Sequence, residues 1–205
     1  MKENKRKAVS PEQRKRDILD AAFAVFTERG FAATRIEDIA ARAGIAKGTV
    51  YLHFADKEAL FTGLVAGLAS PVLAEIGALA VRDGLTGRQA VTLLYDTFVR
   101  LVLGTDRRHL IRLIISEGPA FPAIAEIYHR DVISIGLKAL QQLLSRAAER
   151  GELRAPAVAE VPQIIASPLI LSIVWGALFE RLEPLDTKKL FDAFLDTLFL
   201  PPGDA

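Results

Sequence analysis

IEDIAARAGIAKGTVYLHFADKEALF, residues 36–61, carries the strongest structural signal in the chain. Its first part has apolar side chains at helical spacing and ends at Gly44, which can supply the positive φ of a sharp turn. A short helix is predicted over residues 47–53, roughly 10 Å long at 1.5 Å per residue. Asp56 then caps the next helix. The pattern is typical of a helix-turn-helix, whose second helix fits a DNA major groove about 12 Å wide.

The preceding helix has its own start and stop signals. Ser10 is the predicted N-cap, and Gln13 closes a capping box with it. Apolar residues then follow the spacing of one buried helix face, and Gly30 is the predicted C-terminal glycine. A second capping box, formed by Thr34 and Glu37, is predicted to start the second helix.

Composition sets limits on the chemistry of the chain. With 205 residues, of which 51% are hydrophobic, it can bury a substantial core. The absence of Cys excludes disulfides, thiolate metal sites and cysteine nucleophiles, and fits a reducing cytoplasm. The three histidines lie far apart in sequence, so neither a metal nor another cofactor is expected.

The net charge of +1 hides an asymmetry between the two parts of the chain. Residues 1–60 carry 12 Lys+Arg against 9 Asp+Glu, a net of +3, whereas residues 61–205 carry 14 against 16, a net of −2. Residues 1–9 are predicted to form a flexible basic arm. Such an arm is either a frayed, solvated end or, next to a helix-turn-helix, a contact for DNA phosphates.

Beyond residue 60 helical periodicity recurs and strand signals are almost absent, so the predicted class is all-α. The fourth helix is expected to reach about Leu79, interrupted or bent near Pro71. Further helices are predicted at about 87–103, 106–117, 122–150, 159–182 and 187–199. The chain is thereby divided into the arm, a helix-turn-helix domain over residues 10–55 and a C-terminal helical bundle over residues 56–205.

One apolar stretch is long enough to raise the question of a membrane-spanning helix. Residues 161–179 are 19 residues without a charged side chain, close to the ~20 that span a bilayer. They include Pro162 and Pro168 and have acidic flanks, so a helix buried in a bundle or a subunit interface is favoured over a membrane tether. The N-terminus lacks the pattern of a signal peptide, and the expected location is cytoplasmic, with no membrane partner.

The N-terminal motifs resemble those of the tetracycline-repressor (TetR) family of bacterial regulators. The resemblance rests on ERGF at residues 28–31 and ATRIEDIAARAGIAKGTVYLHFADKEALF at residues 33–61. The segment ISEGPAFPAIAEIYHRDV, residues 115–132, is also similar to one found in some members. The resemblance implies a homodimer, a double-stranded DNA operator with two-fold symmetry, and a C-terminal domain whose ligand lowers DNA affinity.

Side chains at the start of the short helix can reach phosphates or base edges, and neighbouring positions can support them. The predicted DNA contacts are Thr34, Lys47, Gly48, Thr49, Tyr51, Leu52, His53 and Lys57. Val50 and Phe54 are expected in the core instead.

Several of these positions have a structural alternative. Thr34 offers either a phosphate site at a helix N-terminus or a plain cap. Gly48 costs ~1 kcal/mol against Ala within a helix, so it indicates either close approach to DNA or tight packing on the second helix. Tyr51 can place its hydroxyl on a phosphate or remain exposed without a partner. His53 can contact the DNA or cap the helix end.

Two residues depart from the family pattern. Ala46 stands where members often carry Ser, which removes an N-cap worth ~1 kcal/mol. Leu52 stands at a position that is often polar or aromatic, and on this helix it should point near the groove. We expect Leu52 to contact a thymine methyl group.

The C-terminal bundle is expected to hold an apolar pocket with a few polar groups. The candidate lining residues are Tyr95, Phe98, His109, Arg112, Glu117, Phe121, His129, Trp175 and Phe179, each of which has ordinary core or surface as its alternative. With 11 Phe in the chain, a small apolar effector is favoured over a charged one. The helices over residues 159–182 and 187–199 are the predicted dimer interface.

The favoured hypothesis is a ligand-responsive repressor, and the alternative is a DNA-binding regulator without a ligand. An enzyme is disfavoured, because the sequence has no glycine-rich phosphate loop, no Gly-x-Ser-x-Gly elbow and no His-Glu-x-x-His pair. His109 and Glu117 could form an acid-base pair, but a lone histidine and carboxylate eight residues apart are far more often structural.

Overall fold

The computed structural model of the chain describes residues 10–201, so the predicted arm over residues 1–9 lies outside the described part. Residues 10–201 form ten α-helices. These are α1 (Pro11–Ala33), α2 (Ile36–Arg42), α3 (Lys47–Tyr51), α4 (Lys57–Ala80), α5 (Gly87–Phe98), α6 (Arg107–Glu117), α7 (Pro122–Tyr128), α8 (Ser134–Glu149), α9 (Ser167–Leu178) and α10 (Thr187–Leu198). Within this range the only β pairing is an isolated bridge between Leu153 and Phe199, and the predicted all-α class is confirmed.

Helix α1 begins and breaks at the predicted residues. The backbone N–H of Gln13 donates to the Ser10 hydroxyl at 3.1 Å, which confirms the N-cap. The Gln13 side chain donates to Asp17 instead of returning to Ser10, so the predicted capping box is wrong. At Gly30 the backbone reaches φ 81° and ψ 166°, and the helix breaks there before a last turn that ends at Ala33.

The second predicted capping box is also wrong, because α2 begins one residue later than expected. Arg35 is the N-cap, and its N–H donates to the Asp38 carboxylate at 3.1 Å. The Thr34 hydroxyl donates to the Gly30 carbonyl oxygen at 2.6 Å, and the residue is only 2% exposed. Thr34 therefore fastens the broken end of α1 instead of capping α2.

Helix α4 is the longest helix and connects the N-terminal helices to the rest of the molecule. The Asp56 carboxylate accepts from the Ala59 N–H at 2.7 Å, as predicted. The helix continues without interruption through Pro71, so the predicted interruption is wrong. Proline removes one backbone hydrogen bond, and packing against α5 and α8 on either side holds the helix together.

The C-terminal helices follow the prediction except before α9. Wide helical turns over Val99–Leu103 and His129–Ile133 extend α5 and join α7 to α8, matching the predicted spans. The predicted helix over residues 159–182 is wrong, because two 3₁₀ turns, Pro156–Glu160 and Pro162–Ala166, precede the shorter α9. The two 3₁₀ turns begin with Pro156 and Pro162, and Pro168 is the second residue of α9. Proline lacks the N–H needed to continue a preceding helix.

The buried side chains form three clusters. The largest joins the helix-turn-helix to the start of α4 and also takes in Leu110 and Leu113 of α6 and Ile124 and Ile127 of α7. A second lies among α5, α8 and α10, and a small third cluster surrounds Ile173. The predicted division after residue 55 therefore does not coincide with a gap in the packing.

Among the described helices, α4 alone has the length and apolar composition of a membrane span, with a mean hydropathy of 1.7. It contacts α1, α5, α7 and α8, and 28% of its apolar window is buried. The apolar stretch singled out in the sequence is a shorter helical segment, Pro162–Leu178.

Candidate nucleic-acid interface and cavities

The helix-turn-helix has the predicted core and turn. Gly44 has φ 66°, and Ile39, Val50 and Phe54 are buried. Helix α3 ends at Tyr51, two residues earlier than predicted, and Leu52 and His53 lie in the turn that follows. Ala46 makes no side-chain hydrogen bond at the start of α3, so the expected loss of an N-cap is confirmed.

The outer surface of α3 is open and partly apolar. Leu52 is 84% exposed and Tyr51 is 46% exposed, while Lys47 and Gly48 are also exposed. Thr49 and His53 are half-buried, at the edge of this surface. A Cβ atom added to Gly48 would meet nothing within 4 Å, so packing on the second helix does not explain this glycine. The space in front of it is free for a ligand to approach the backbone.

Lys47 is held at this surface by neighbours of the same unit. Its ammonium pairs with the Glu37 carboxylate and lies 5.7 Å from the centre of the Tyr51 ring. The hydrogen bond to Lys47 lowers the pKa of Glu37, and the same bond raises the pKa of Lys47. Because both side chains are half-exposed, a phosphate can compete for the ammonium.

Lys57 points into the domain and not toward solvent. Its Nζ donates to the carbonyl oxygens of Phe31 at 2.7 Å and Thr34 at 3.2 Å, with a longer contact to Ala32 at 3.4 Å. It also lies 4.4 Å above the Phe31 ring. These carbonyls follow the break at Gly30, so Lys57 neutralises the end of α1. This geometry does not fit the predicted phosphate contact, and the buried Thr34 hydroxyl is equally inaccessible.

Replacing Lys57 by Met keeps the aliphatic stem and removes the ammonium. Hydrogen bonds to a charged group contribute about 1.5–3 kcal/mol, and we expect the free energy of unfolding to fall by about this amount. Urea denaturation followed by circular dichroism measures the change. Lys47→Met is the matched control, because its ion pair lies in solvent and should contribute little. Equal stability of the two variants would contradict the structural role of Lys57.

The end of α1 is also tied to the C-terminal helices. The Ala32 N–H donates to the Glu117 carboxylate of α6 at 2.9 Å. The Phe31 ring meets the Phe121 ring edge-on, with centroids 5.7 Å apart. Phe121, a predicted pocket residue, is thus partly buried and packs against the core at the junction of the two parts of the molecule.

A cavity of about 280 Å³ lies in the C-terminal bundle, between α4, α5, α6, α8 and the segment leading into α9. Its walls are almost entirely apolar and include Val72, Phe98, Ile111, Leu137 and Leu169. We call this space within the C-terminal bundle the main cavity. Phe98 is the one predicted pocket residue that lines it.

Three polar side chains reach the main cavity. The Arg107 guanidinium already has backbone partners, since it donates to the carbonyl oxygens of Leu68 and Leu101, each at 3.1 Å. The Tyr128 hydroxyl has no hydrogen-bond partner among residues 10–201, and burial raises the pKa of Tyr128 to about 12. Gln163 is exposed at the rim. The sequence pointed to the neighbouring His129 instead of Tyr128. The available signal was that Tyr128 is the one tyrosine of the three for which the sequence predicted no role.

The other predicted pocket residues are dispersed. Tyr95 stacks on Phe191 with centroids 4.0 Å apart and donates to the Thr187 hydroxyl at 3.1 Å. His129 is exposed, and its ring lies 3.3 Å from the Ser134 hydroxyl. Neither lines the main cavity.

Trp175 and Phe179 form an edge-on pair near the surface of α9, with centroids 5.1 Å apart. His109, Arg112 and Glu117 line a different cavity of about 460 Å³ between α1, α6 and α9. The nine candidates therefore belong to several environments and not to one pocket.

The fold and the α3 surface define a helix-turn-helix DNA-binding protein with an all-helical C-terminal domain. The family described as "Bacterial regulatory proteins, tetR family" matches residues 18–64, and the "Tetracyclin repressor-like, C-terminal domain" matches residues 81–193, more than half of the chain. The chain belongs to the TetR family, and it is a DNA-binding transcriptional regulator.

Individual proteins of similar sequence or structure are also transcriptional regulators. The chain is 26% identical over 162 residues to the HTH-type transcriptional regulator UidR of Escherichia coli, covering 78% of each protein. Its fold matches the SmeT–triclosan complex with a TM-score of 0.78 at 22% identity, over 92% of this chain and 93% of that one. It also matches FadR of Bacillus subtilis in complex with stearoyl-CoA, with a TM-score of 0.72 at 21% identity, over 88% and 95% of the two chains. The two structural likenesses show the fold alone.

Proposed function

We propose that this chain is a ligand-responsive repressor that binds a two-fold symmetric operator as a homodimer. The observation that carries the proposal is the open α3 surface, where an apolar side chain, Leu52, is 84% exposed beside an exposed tyrosine and lysine. A single exposed leucine is ordinary on a protein surface, but this one follows the helix that would enter a DNA groove, where it can contact a thymine methyl group.

The proposed DNA contacts are fewer than the sequence predicted. They are Lys47, Gly48, Thr49, Tyr51, Leu52 and His53. Lys47 and Tyr51 would contact phosphates, and the open space at Gly48 would allow the backbone to approach the DNA. Thr34 and Lys57 are left out because their polar groups donate to backbone carbonyl oxygens inside the domain, where they stabilise the end of α1.

Leu52→Ala tests the contact with a thymine methyl group. Burial of one methyl group contributes about 0.8 kcal/mol, so replacing the contacted thymine by uracil should weaken binding of the unmodified protein roughly fourfold. The Leu52→Ala variant should not distinguish the two operators at that position. Fluorescence anisotropy with each thymine replaced in turn measures this. If the loss of affinity on replacing thymine by uracil is the same for the unmodified protein and the variant at every position, the contact does not exist.

Selection of genomic DNA fragments tests the operator proposal as a whole. A homodimer should select two inverted half-sites whose centres lie one helical turn apart, ~34–36 Å, or a multiple of it. The salt dependence of binding should have a log-log slope of about −0.9 for each phosphate contact. Selection of a single asymmetric site would contradict two-fold binding.

The proposed dimer interface is centred on α9 and the turn after it. Five apolar side chains are exposed there: Ile170, Leu171, Leu178, Phe179 and Leu182. In α10, by contrast, Phe191, Leu195 and Leu198 are already buried within the protomer, so only its other face is available. A chain that elutes from gel filtration only as a monomer at micromolar concentration would contradict this interface.

The main cavity is the proposed effector site. Its apolar walls and the unpaired Tyr128 hydroxyl suit an apolar compound with one hydrogen-bond acceptor. Triclosan in the SmeT complex and stearoyl-CoA in the FadR complex support the idea that bundles of this fold accept ligands. Effector binding would shift the protein toward a state in which the two α3 helices no longer match the half-site spacing. Operator DNA must then weaken effector binding by the same factor.

Gly136→Phe tests the cavity directly. A Cβ at Gly136 would meet nothing within 4 Å, and the residue lines the main cavity, so a phenyl ring there should fill it. We expect the apolar dye Nile red to bind roughly tenfold more weakly, while operator affinity is retained. Gly77→Phe, at an exposed position with equally open space, is the matched control. Unchanged dye binding in Gly136→Phe would favour the alternative, a DNA-binding regulator without a ligand.

A further inference from the structure

The cavity between α1, α6 and α9 is separate from the main cavity. It has a volume of about 460 Å³, and none of its lining residues lines the other cavity. One wall comes from α1 of the helix-turn-helix, where Phe26, Thr27 and Gly30 face it. This junction cavity therefore touches both the DNA-binding part and the C-terminal part of the chain.

Arg112 brings a positive charge and an unpaired hydrogen-bond donor to the junction cavity. Its Nε is enclosed and has no hydrogen-bond partner, and no acidic side chain among residues 10–201 forms an ion pair with it. Burial and then the nearby Arg108 lower the pKa of Arg112 from its ordinary value, yet a guanidinium remains charged at neutral pH. The Arg112 Nε–H is therefore left without an acceptor, and a bound anion would supply one.

The other polar side chains that line the cavity, apart from His109, already form hydrogen bonds within the protein. The Thr27 hydroxyl donates to the Phe23 carbonyl oxygen at 2.8 Å, and the Ser116 hydroxyl donates to Leu113 at 3.1 Å. The Glu117 carboxylate accepts from the Ala32 N–H. Arg112 and the neighbouring His109 therefore supply the free donors.

His109 reinforces the preference for an anion. Burial, followed by the charges of Arg108 and Arg112, lowers the pKa of His109, so its ring is neutral at pH 7 and donates from one nitrogen. Its nearest carboxylate, Asp106, is 3.8 Å from Nε2 and beyond hydrogen-bond distance.

The other walls are apolar. Phe26, Leu113 and Ile173 are buried side chains that line the same cavity as Arg112 and Glu117. A ligand with one negative group and an apolar body fits this arrangement, whereas a second carboxylate would meet Glu117.

We propose that the junction cavity binds a small organic monocarboxylate, with its carboxylate on the Arg112 guanidinium and its apolar body against Phe26, Leu113 and Ile173. The planar guanidinium matches a carboxylate through two parallel hydrogen bonds. This second site is independent of the main cavity, so either assignment can fail without the other.

Isothermal titration calorimetry of the full chain with 4-phenylbutyrate tests the proposal, and 4-phenyl-1-butanol serves as the uncharged counterpart. We expect the acid to bind and the alcohol to bind much more weakly. Arg112→Gln should weaken binding of the acid roughly tenfold or more, because the charge-assisted hydrogen bonds are lost. Arg100→Gln is the control, since Arg100 forms an exposed ion pair with Glu75 away from the cavity.

Gly136→Phe separates the two cavities in the same experiment. Because it fills the main cavity only, it should leave binding of 4-phenylbutyrate unchanged. Loss of binding in Gly136→Phe together with normal binding in Arg112→Gln would place the acid in the main cavity and overturn the proposal. Equal binding of acid and alcohol, or no binding of the acid by the unmodified chain, would overturn it as well.

Discussion

Replacing Phe31 by Ala is expected to lower the free energy of unfolding by about 3–5 kcal/mol, the usual range for a fully buried aromatic residue. Phe31 is 2% exposed, and its ring packs against Phe26, Phe61 and Phe121 with centroids 5.4 to 5.7 Å apart. Lys57 closes the remaining face. The substitution therefore removes van der Waals contacts to two parts of the molecule and leaves a cavity between them.

Guanidinium chloride unfolding, followed by circular dichroism, measures this loss. Val81→Ala is the control, because Val81 is 68% exposed and lies outside the proposed dimer interface, so truncation there should alter stability by far less. Phe31→Leu, which retains most of the volume, should lie between the two. A loss below about 1 kcal/mol for Phe31→Ala would show that the surrounding rings close the cavity.

Gly30→Ala should be the second large effect, at least about 2 kcal/mol of stability. Two causes act together at this position. With φ 81° and ψ 166° the backbone occupies a region that is essentially restricted to glycine. In addition, a Cβ atom would clash with the Glu117 carboxylate, far inside van der Waals contact distance, and the carboxylate would have to move away from the Ala32 N–H.

Two further variants separate these causes by urea denaturation. Gly44 also has a positive φ, 66°, but a Cβ there meets nothing within 4 Å, so Gly44→Ala should cost only about 1–2 kcal/mol. The double variant Gly30→Ala with Glu117→Ala removes the clash and keeps the backbone strain. If Gly30→Ala is no worse than Gly44→Ala, the crowding by Glu117 has no energetic consequence.

Features set by near neighbours in sequence could be predicted without the structure. The N-caps at Ser10 and Asp56, the turn at Gly44 and the buried face of the helix-turn-helix depend on residues within a few positions of one another. Errors of a single residue still arose, because Arg35 and not Thr34 is the N-cap of α2 once the Thr34 hydroxyl donates to the Gly30 carbonyl oxygen. The long helix predicted over residues 159–182 failed because the series of prolines ending at Pro168 outweighs the apolar periodicity.

Residue roles that depend on distant contacts could not be predicted. Lys57 points inward because the break at Gly30 presents carbonyl oxygens from residues more than 20 positions earlier in the chain. Which residues line the main cavity also depends on contacts between elements that are distant in sequence. Phe98 and Tyr95 are three residues apart on one helix, yet one faces the main cavity and the other stacks on Phe191 of α10. Helical spacing shows which residues share a face, and only tertiary packing shows what that face meets.

The largest buried cluster, which joins the helix-turn-helix to α6 and α7, has a consequence for engineering and for evolution. Leu110, Leu113, Ile124 and Ile127 complete the interior of the N-terminal unit. A chimaera that exchanges only the first 55 residues would place these side chains against a foreign surface and create mismatched volumes on both sides. New specificities are therefore acquired more readily by changing the exposed side chains of α3 in place than by transplanting the module.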